Sequence, residues 1–82
     1  DADGTLINES LSREIERTLS VLPEKEKAVI KYFFGLGVPE MSLEEIGQKL
    51  NLTRERVRQI KEKGIRRLRH SSKNKLLKKY LG

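Results

Sequence analysis

The chain lacks cysteine and tryptophan, has a single histidine and contains only two prolines. Without cysteine there are no disulfides and no thiolate metal sites, and one histidine is too few for a zinc centre. No apolar run approaches the roughly 20 residues of a membrane span, and nothing resembles a signal peptide. We therefore expect a cytoplasmic protein with no metal, no cofactor, no membrane contact and no catalytic residues.

Charge, in contrast, is plentiful and unevenly distributed. Charged residues make up 37% of the 82 positions and hydrophobic residues 35%, with a net charge of +6. Residues 1–52 carry a net −4, residues 53–70 a net +6 and residues 71–82 a net +4. This asymmetry predicts a polyanionic partner for the C-terminal half. Because the chain is short and begins at Asp1, we expect one domain of a longer protein.

Helix signals recur along the whole length, and no segment alternates as a strand does. Asn8 and Thr53 are candidate N-caps, Pro23 suits a first helical turn, and Ser42 with Glu45 has the spacing of a capping box. The predicted fold is all-α, a compact bundle of four to five helices, with residues 1–8 as a linker and 9–82 as the domain. The approximate predicted helices are 8–21, 23–35, 43–50, 53–70 and 72–80.

Apolar residues at helical spacing predict the core. The predicted stripes are Leu11, Ile15, Leu19 and Leu22 in the first helix, and Ala28, Val29, Tyr32, Phe33 and Leu36 in the second. In the third helix, Leu43, Ile46, Gly47 and Leu50 are expected to face inward.

Residues 43–62 match the requirements of a helix-turn-helix. Gly47 supplies the small residue that a close helix crossing needs, and Leu52 can fill the corner between the helices. The second helix of the motif has one inward stripe, namely Val57, Ile60, Gly64 and Leu68. The opposite face is polar and mostly basic, so the motif predicts that this helix presents charge to a partner.

The outward face has the chemistry of major-groove recognition. Arg54, Glu55 and Gln59 lie on the first two turns, where a recognition helix usually contacts bases. Arginine matches the two acceptors of guanine, glutamine pairs with adenine, and glutamate accepts from the cytosine amino group. The neighbouring basic residues are better placed for phosphates; these are Arg56, Arg58, Lys61 and Lys63.

The segments SLEEIGQKLNLTRERVRQIKEKGIRRLRH and LPEKEKAVIKYFFGLG resemble region 4 of bacterial primary sigma factors, the RNA polymerase subunits that recognise promoters. The resemblance implies binding to the minus-35 element of double-stranded promoter DNA and docking on the β flap of core RNA polymerase. It assigns base contacts to Arg54, Glu55 and Gln59. It assigns DNA backbone contacts to Leu43, Glu44, Thr53, Arg56, Arg58 and Lys63.

The resemblance also implies further partners and shows one departure. Transcription activators would contact a basic end formed by Lys63, Arg66, Arg67 and Arg69, and anti-sigma factors are possible partners of the domain. The isolated domain is expected to be a monomer. Many members have arginine before the Phe-Gly pair, whereas this chain has Phe33 before Phe34. That difference puts a phosphate contact at this position in doubt.

Two other functions fit parts of the pattern. A stand-alone helix-turn-helix repressor or response-regulator output domain would also read DNA, but it would usually dimerise to span two half-sites. A protein-interaction module could use the basic helix to bind an acidic partner without reading sequence. The N-terminal DADGTLI resembles a phosphatase nucleophile loop, but no strand precedes it, so we interpret it as a solvated linker.

Overall fold

A computed structural model describes residues 9–71 together with 75, 78 and 79. Its helices are α1 (Glu9–Leu19), α2 (Glu24–Phe34), α3 (Leu43–Leu50) and α4 (Arg54–Ser71). The described residues contain no strand, which confirms the all-α prediction. Residues 75, 78 and 79 are helical; the rest of the predicted fifth helix, and the predicted linker 1–8, lie outside the described residues.

Both helices of the helix-turn-helix begin at the signals that the sequence predicted, and α3 also ends at the predicted residue. The Ser42 hydroxyl accepts from the Glu45 amide at 3.1 Å, and the Glu45 carboxylate accepts from the Ser42 amide at 2.8 Å, which completes the capping box. Asn51 ends α3 in the left-handed conformation, with φ 61° and ψ 47°. The Thr53 hydroxyl then accepts from the Arg56 amide at 3.0 Å and caps α4.

The first two helices are shorter than predicted. After Leu19 the chain leaves the α-helix through a tighter turn, in which the Leu22 amide donates to the Leu19 carbonyl at 2.9 Å. Pro23 is the N-cap residue of α2 and not part of its first turn, since its φ of −56° and ψ of 153° are not helical. Gly35 ends α2 at φ 68°, where a side chain would be strained.

The interior consists of two apolar clusters, and α4 contributes to both. The first cluster comprises Ile15, Leu19, Leu22, Ile30, Leu36 and Leu68. The second comprises Val29, Ile46, Val57 and Ile60, with Leu43, Leu50 and Leu52 packed partly buried against it. Each of the other three helices contacts α4, so α4 is the central element of the fold.

The buried face of α2 differs from the predicted stripe. Ile30 is fully buried although it was absent from that stripe, whereas Ala28, Tyr32 and Phe33 are only partly buried. The reason is the crossing with α4 at Gly64, where a β-carbon would lie 3.1 Å from the Ile30 side chain. Within the described residues the predictions for Ile15, Leu19, Leu22, Val29 and Leu36 are confirmed; the Leu11 side chain lies outside the described part.

Gly47 is required by the turn that follows α3. A β-carbon built on it would lie 2.5 Å from the backbone carbonyl oxygen of Leu52, closer than real contacts allow. The Leu52 amide donates to the Gly47 carbonyl at 2.8 Å, which keeps the turn against the helix. Both the small residue and the corner leucine predicted for a helix-turn-helix are therefore confirmed.

Candidate nucleic-acid interface

The first two turns of α4 present the predicted base-contacting residues to solvent. Val57 and Ile60 are buried on one side of the helix, and Arg54, Glu55 and Gln59 are exposed on the other. The Arg54 side chain makes no hydrogen bond or ion pair with any other part of the chain that the structure describes. The fold therefore leaves these three side chains accessible, although their contact with DNA stays a prediction.

Arg58 is held between two carboxylates on the same face. Its Nε and Nη2 donate to the two carboxylate oxygens of Glu55 at 2.9 and 2.6 Å, a two-pronged arrangement. Its Nη1 donates to Glu62 at 2.9 Å from one turn further along the helix. The Arg58 side chain is 39% exposed, so the remaining guanidinium protons can still reach a partner in solvent.

Gln59 connects this network to Arg56 on the neighbouring flank of α4. Its amide nitrogen donates to the Glu55 carboxylate at 3.4 Å, and its amide oxygen accepts from Arg56 at 3.3 Å. Two of the predicted base contacts, Glu55 and Gln59, are thus joined to each other and to two predicted phosphate contacts, Arg56 and Arg58. The network favours one arrangement of these four side chains.

The network also favours the ionised form of Glu55. Hydrogen bonds from Arg58, aided by the positive charges of Arg58 and Arg54 and by the Gln59 amide, lower the pKa of Glu55 below its usual 4.5. The hydrogen bonds to Glu55 and then to Glu62 raise the pKa of Arg58. Glu55 is therefore a hydrogen-bond acceptor at neutral pH, the form that can accept from a cytosine amino group.

The predicted DNA-backbone contacts lie in the first turn of α3, at the cap of α4 and along the first ten residues of α4. Glu44 is exposed in the first turn of α3, while the Leu43 side chain packs partly buried on the second cluster. Because the amides of the first helical residues have no intrahelical acceptor, both residues can offer main-chain N–H groups to a phosphate. On α4, Thr53, Arg56 and Lys63 are exposed.

A groove of about 390 Å³ lies between the start of α2 and the flank of α4. Cationic side chains from both helices line it, namely Lys25, Arg56, Lys63 and Arg66. Lys25 was absent from the sequence-based site, since nothing in the local pattern of α2 shows that it faces α4. Its position adds a further positive charge next to two predicted phosphate contacts.

The basic end of α4 is tied to α2 by a partly buried ion pair. Arg67 Nε lies 3.0 Å from one Glu26 oxygen and donates to the other at 3.3 Å. Glu26 is only 7% exposed, whereas the Arg67 side chain is 50% exposed. Arg67 therefore also holds α2 and α4 together, a role that the sequence did not reveal. Lys63, Arg66 and Arg69 are exposed around it.

Comparison with known proteins agrees with this geometry. The family model described as Sigma-70, region 4 matches residues 18–70, which is more than half of the chain. The chain belongs to the sigma-70 region 4 family. The predicted family is thereby confirmed, and the match includes the helix-turn-helix and the whole basic face up to His70.

Relatives of this sigma-70 region 4 chain include RNA polymerase sigma factors from diverse bacteria. It is 40% identical over 99% of its length to RNA polymerase sigma factor SigA1 of Synechococcus elongatus, and 46% identical over 93% to RNA polymerase sigma factor RpoD of Helicobacter pylori. It is 43% identical over 87% to RNA polymerase sigma factor SigA of Clostridium acetobutylicum. The chain spans only 22%, 12% and 19% of those three proteins, respectively.

Phe33 is partly buried and packs against the second cluster. The Lys61 ammonium lies 4.8 Å from the centre of its ring, a cation–π contact, and Phe34 meets the ring edge-on at 5.2 Å. Lys49 lies similarly 5.5 Å from the ring of Tyr32. A lysine of α4 thus places its charge next to the Phe33 ring.

Among the described residues, no helix is both long enough and apolar enough to cross a membrane. No group of three or more histidine, cysteine or acidic side chains in the described part is arranged to hold a metal ion.

Proposed function

We propose that this chain is the promoter-recognition domain of an RNA polymerase sigma factor. In this role it reads the minus-35 element in the major groove and docks on the β flap of core polymerase during transcription initiation. The observation that carries the proposal is the exposure of Arg54, Glu55 and Gln59 on consecutive turns of α4. Family membership, shown by the match to residues 18–70, supports it independently.

Base recognition rests on three different chemistries. Arg54 donates its two-pronged guanidinium to the N7 and O6 acceptors of a guanine. Glu55 accepts from the exocyclic amine of a cytosine, and Gln59 pairs with adenine through its amide. An acidic side chain facing DNA costs affinity unless it reads a base, so Glu55 favours sequence recognition over simple charge attraction.

Phosphate contacts orient the helix in the groove. The side chains of Thr53, Arg56, Arg58 and Lys63 approach the backbone from α4, and the first amides of α3 approach it through Leu43 and Glu44. The positive end of the α3 dipole adds to that attraction. The contacts from both helices fix the depth at which α4 enters the groove.

Two considerations support docking on the β flap: membership of the family and the small size of this DNA-binding domain. A monomer with few contacts binds DNA weakly by itself, and tethering to polymerase raises its effective concentration at the promoter. Activators and anti-sigma factors are further proposed partners, with the basic end of α4 (Lys63, Arg66, Arg67 and Arg69) facing activators. The domain contributes binding and no chemistry of its own.

The test compares two alanine variants by fluorescence anisotropy, using duplexes that carry a minus-35 element or single-base changes in it. Arg54→Ala should lower discrimination at one base pair by about 1–3 kcal/mol. Lys63→Ala should weaken binding to all duplexes alike and reduce the salt slope by roughly one unit. Equal effects of both variants on every duplex would contradict this division of roles.

Two further measurements separate the alternatives. Binding that is blind to sequence and only steeply salt-dependent would favour a charge-driven interaction module. A dimer in sedimentation, with no binding to a β-flap fragment, would favour a stand-alone repressor. Footprinting of polymerase holoenzyme with and without this segment tests the proposed role directly, since protection of the minus-35 element should be lost without it.

A further inference from the structure

Glu62 has no role in the base or phosphate contacts described above, yet it lies on the same face as Glu55. The two residues are seven positions apart, which at roughly 100° per residue places them about 20° from each other around the helix. Glu62 is 50% exposed and accepts a 2.9 Å hydrogen bond from Arg58. Glu62 therefore lies on the helix face that is proposed to contact DNA.

Arg58 is subject to two competing attractions in a DNA complex. Within the chain, it positions Glu55 by occupying both of its carboxylate oxygens, at 2.9 and 2.6 Å. A DNA phosphate offers the same guanidinium an equally suitable two-oxygen partner. Capture by phosphate would remove Glu55's main orienting contact, leaving the 3.4 Å hydrogen bond from Gln59.

We propose that Glu62 is a specificity-determining positioning residue that holds Arg58 against Glu55 when the domain meets DNA. By engaging Nη1, Glu62 gives Arg58 a second anchor on the helix, so that Arg58 contacts phosphate only through the guanidinium protons that the two acids leave free. The carboxylate of Glu62 also lowers the net positive charge of the α4 face that carries Glu55 and Arg58. Glu62 therefore reduces affinity for any DNA and sharpens the reading of the base that Glu55 contacts. This inference rests on the proposed function.

The test is a double-mutant cycle on the 82-residue chain, measured by anisotropy with minus-35 duplexes, single-base variants and random duplex. Glu62→Gln should raise affinity for all duplexes by about 3–10-fold and steepen the salt slope by roughly one unit, because it removes an acid from the helix face and lets Arg58 turn more of its guanidinium toward phosphate. Discrimination at the base pair read by Glu55 should fall by about 3–10-fold.

Arg58→Gln supplies the second arm of the cycle. It should lower discrimination at the same base pair without raising affinity, and adding Glu62→Gln to it should cause no further loss of discrimination. Glu16→Gln is the matched charge control, because Glu16 is an exposed acid on α1. It should leave discrimination unchanged. The free energies of unfolding of all variants should agree within about 1 kcal/mol, since the substituted side chains are exposed or half-buried and exposed ion pairs contribute little.

The possible results separate the inference from the function. If Glu62→Gln leaves discrimination intact, or if Glu16→Gln reproduces its effects, the positioning role is wrong while sequence recognition stands. The positioning role is also wrong if adding Glu62→Gln to Arg58→Gln lowers discrimination further, because Glu62 would then act without Arg58. If the unmodified chain binds all duplexes equally, both the inference and the proposed function are wrong.

Discussion

Replacing Gly47 by alanine should destabilise the domain even though alanine is the better helix former. The new β-carbon would lie 2.5 Å from the Leu52 carbonyl oxygen, so the turn would have to move by roughly 1 Å to reach an ordinary contact. That oxygen belongs to backbone fixed by the left-handed Asn51 and by the 2.8 Å bond from the Leu52 amide to the Gly47 carbonyl. We therefore place the overpacking cost near the upper end of its usual range, about 3 kcal/mol.

The gain in helix propensity, about 1 kcal/mol, offsets part of this cost, which leaves a net loss of about 2 kcal/mol. For a domain of this size the loss should lower the Tm by about 8–16 °C. Urea and thermal unfolding followed by circular dichroism measure it, with Gln48→Ala, at an exposed position of the same helix, as the control. A Gly47→Ala variant as stable as the control would refute the close contact on which this reasoning depends.

Two further predictions concern ion pairs. Because Arg58 lowers the pKa of Glu55 below 4.5, the pair stabilises the fold above that pH, and the benefit is lost as the pH falls through the folded-state pKa. Arg58→Gln should raise the Glu55 pKa toward 4.5 in a carboxyl-carbon NMR titration; an unchanged titration would contradict the pairing. Arg67→Ala should cost about 1–2 kcal/mol in urea unfolding, because it leaves the buried Glu26 carboxylate without its cation. Arg66→Ala, at an exposed neighbouring position, should cost under about 0.5 kcal/mol, and equal losses would show that the pair does not stabilise the fold.

The helix-turn-helix could be predicted because its determinants are local. Ser42 and Glu45 are three residues apart, and Gly47 contacts Leu52 five residues later. Capping and turn formation depend on such short separations, so the sequence pattern specifies them. The outward orientation of Gln59 likewise followed from the inward stripe of α4.

The buried face of α2 could not be predicted in the same way. Its C-terminal half is nearly all apolar, so periodicity alone did not select Ile30 over Phe33 as the fully buried side chain. The selection comes from Gly64, 34 positions later, which lets α4 approach Ile30 closely. The ion pair between Glu26 and Arg67 escaped prediction for the same reason, since its partners are 41 positions apart.

The membership of α4 in both apolar clusters has a mechanical consequence. Its 18 residues form a helix about 27 Å long. Val57 packs the helix into the second cluster near its first two turns, and Leu68 packs it into the first cluster near its C-terminal end. Ile15 of α1 packs in the same cluster as Leu68. The orientation of the first turns of α4 therefore depends on packing along the whole helix, including the contact of its C-terminal half with α1.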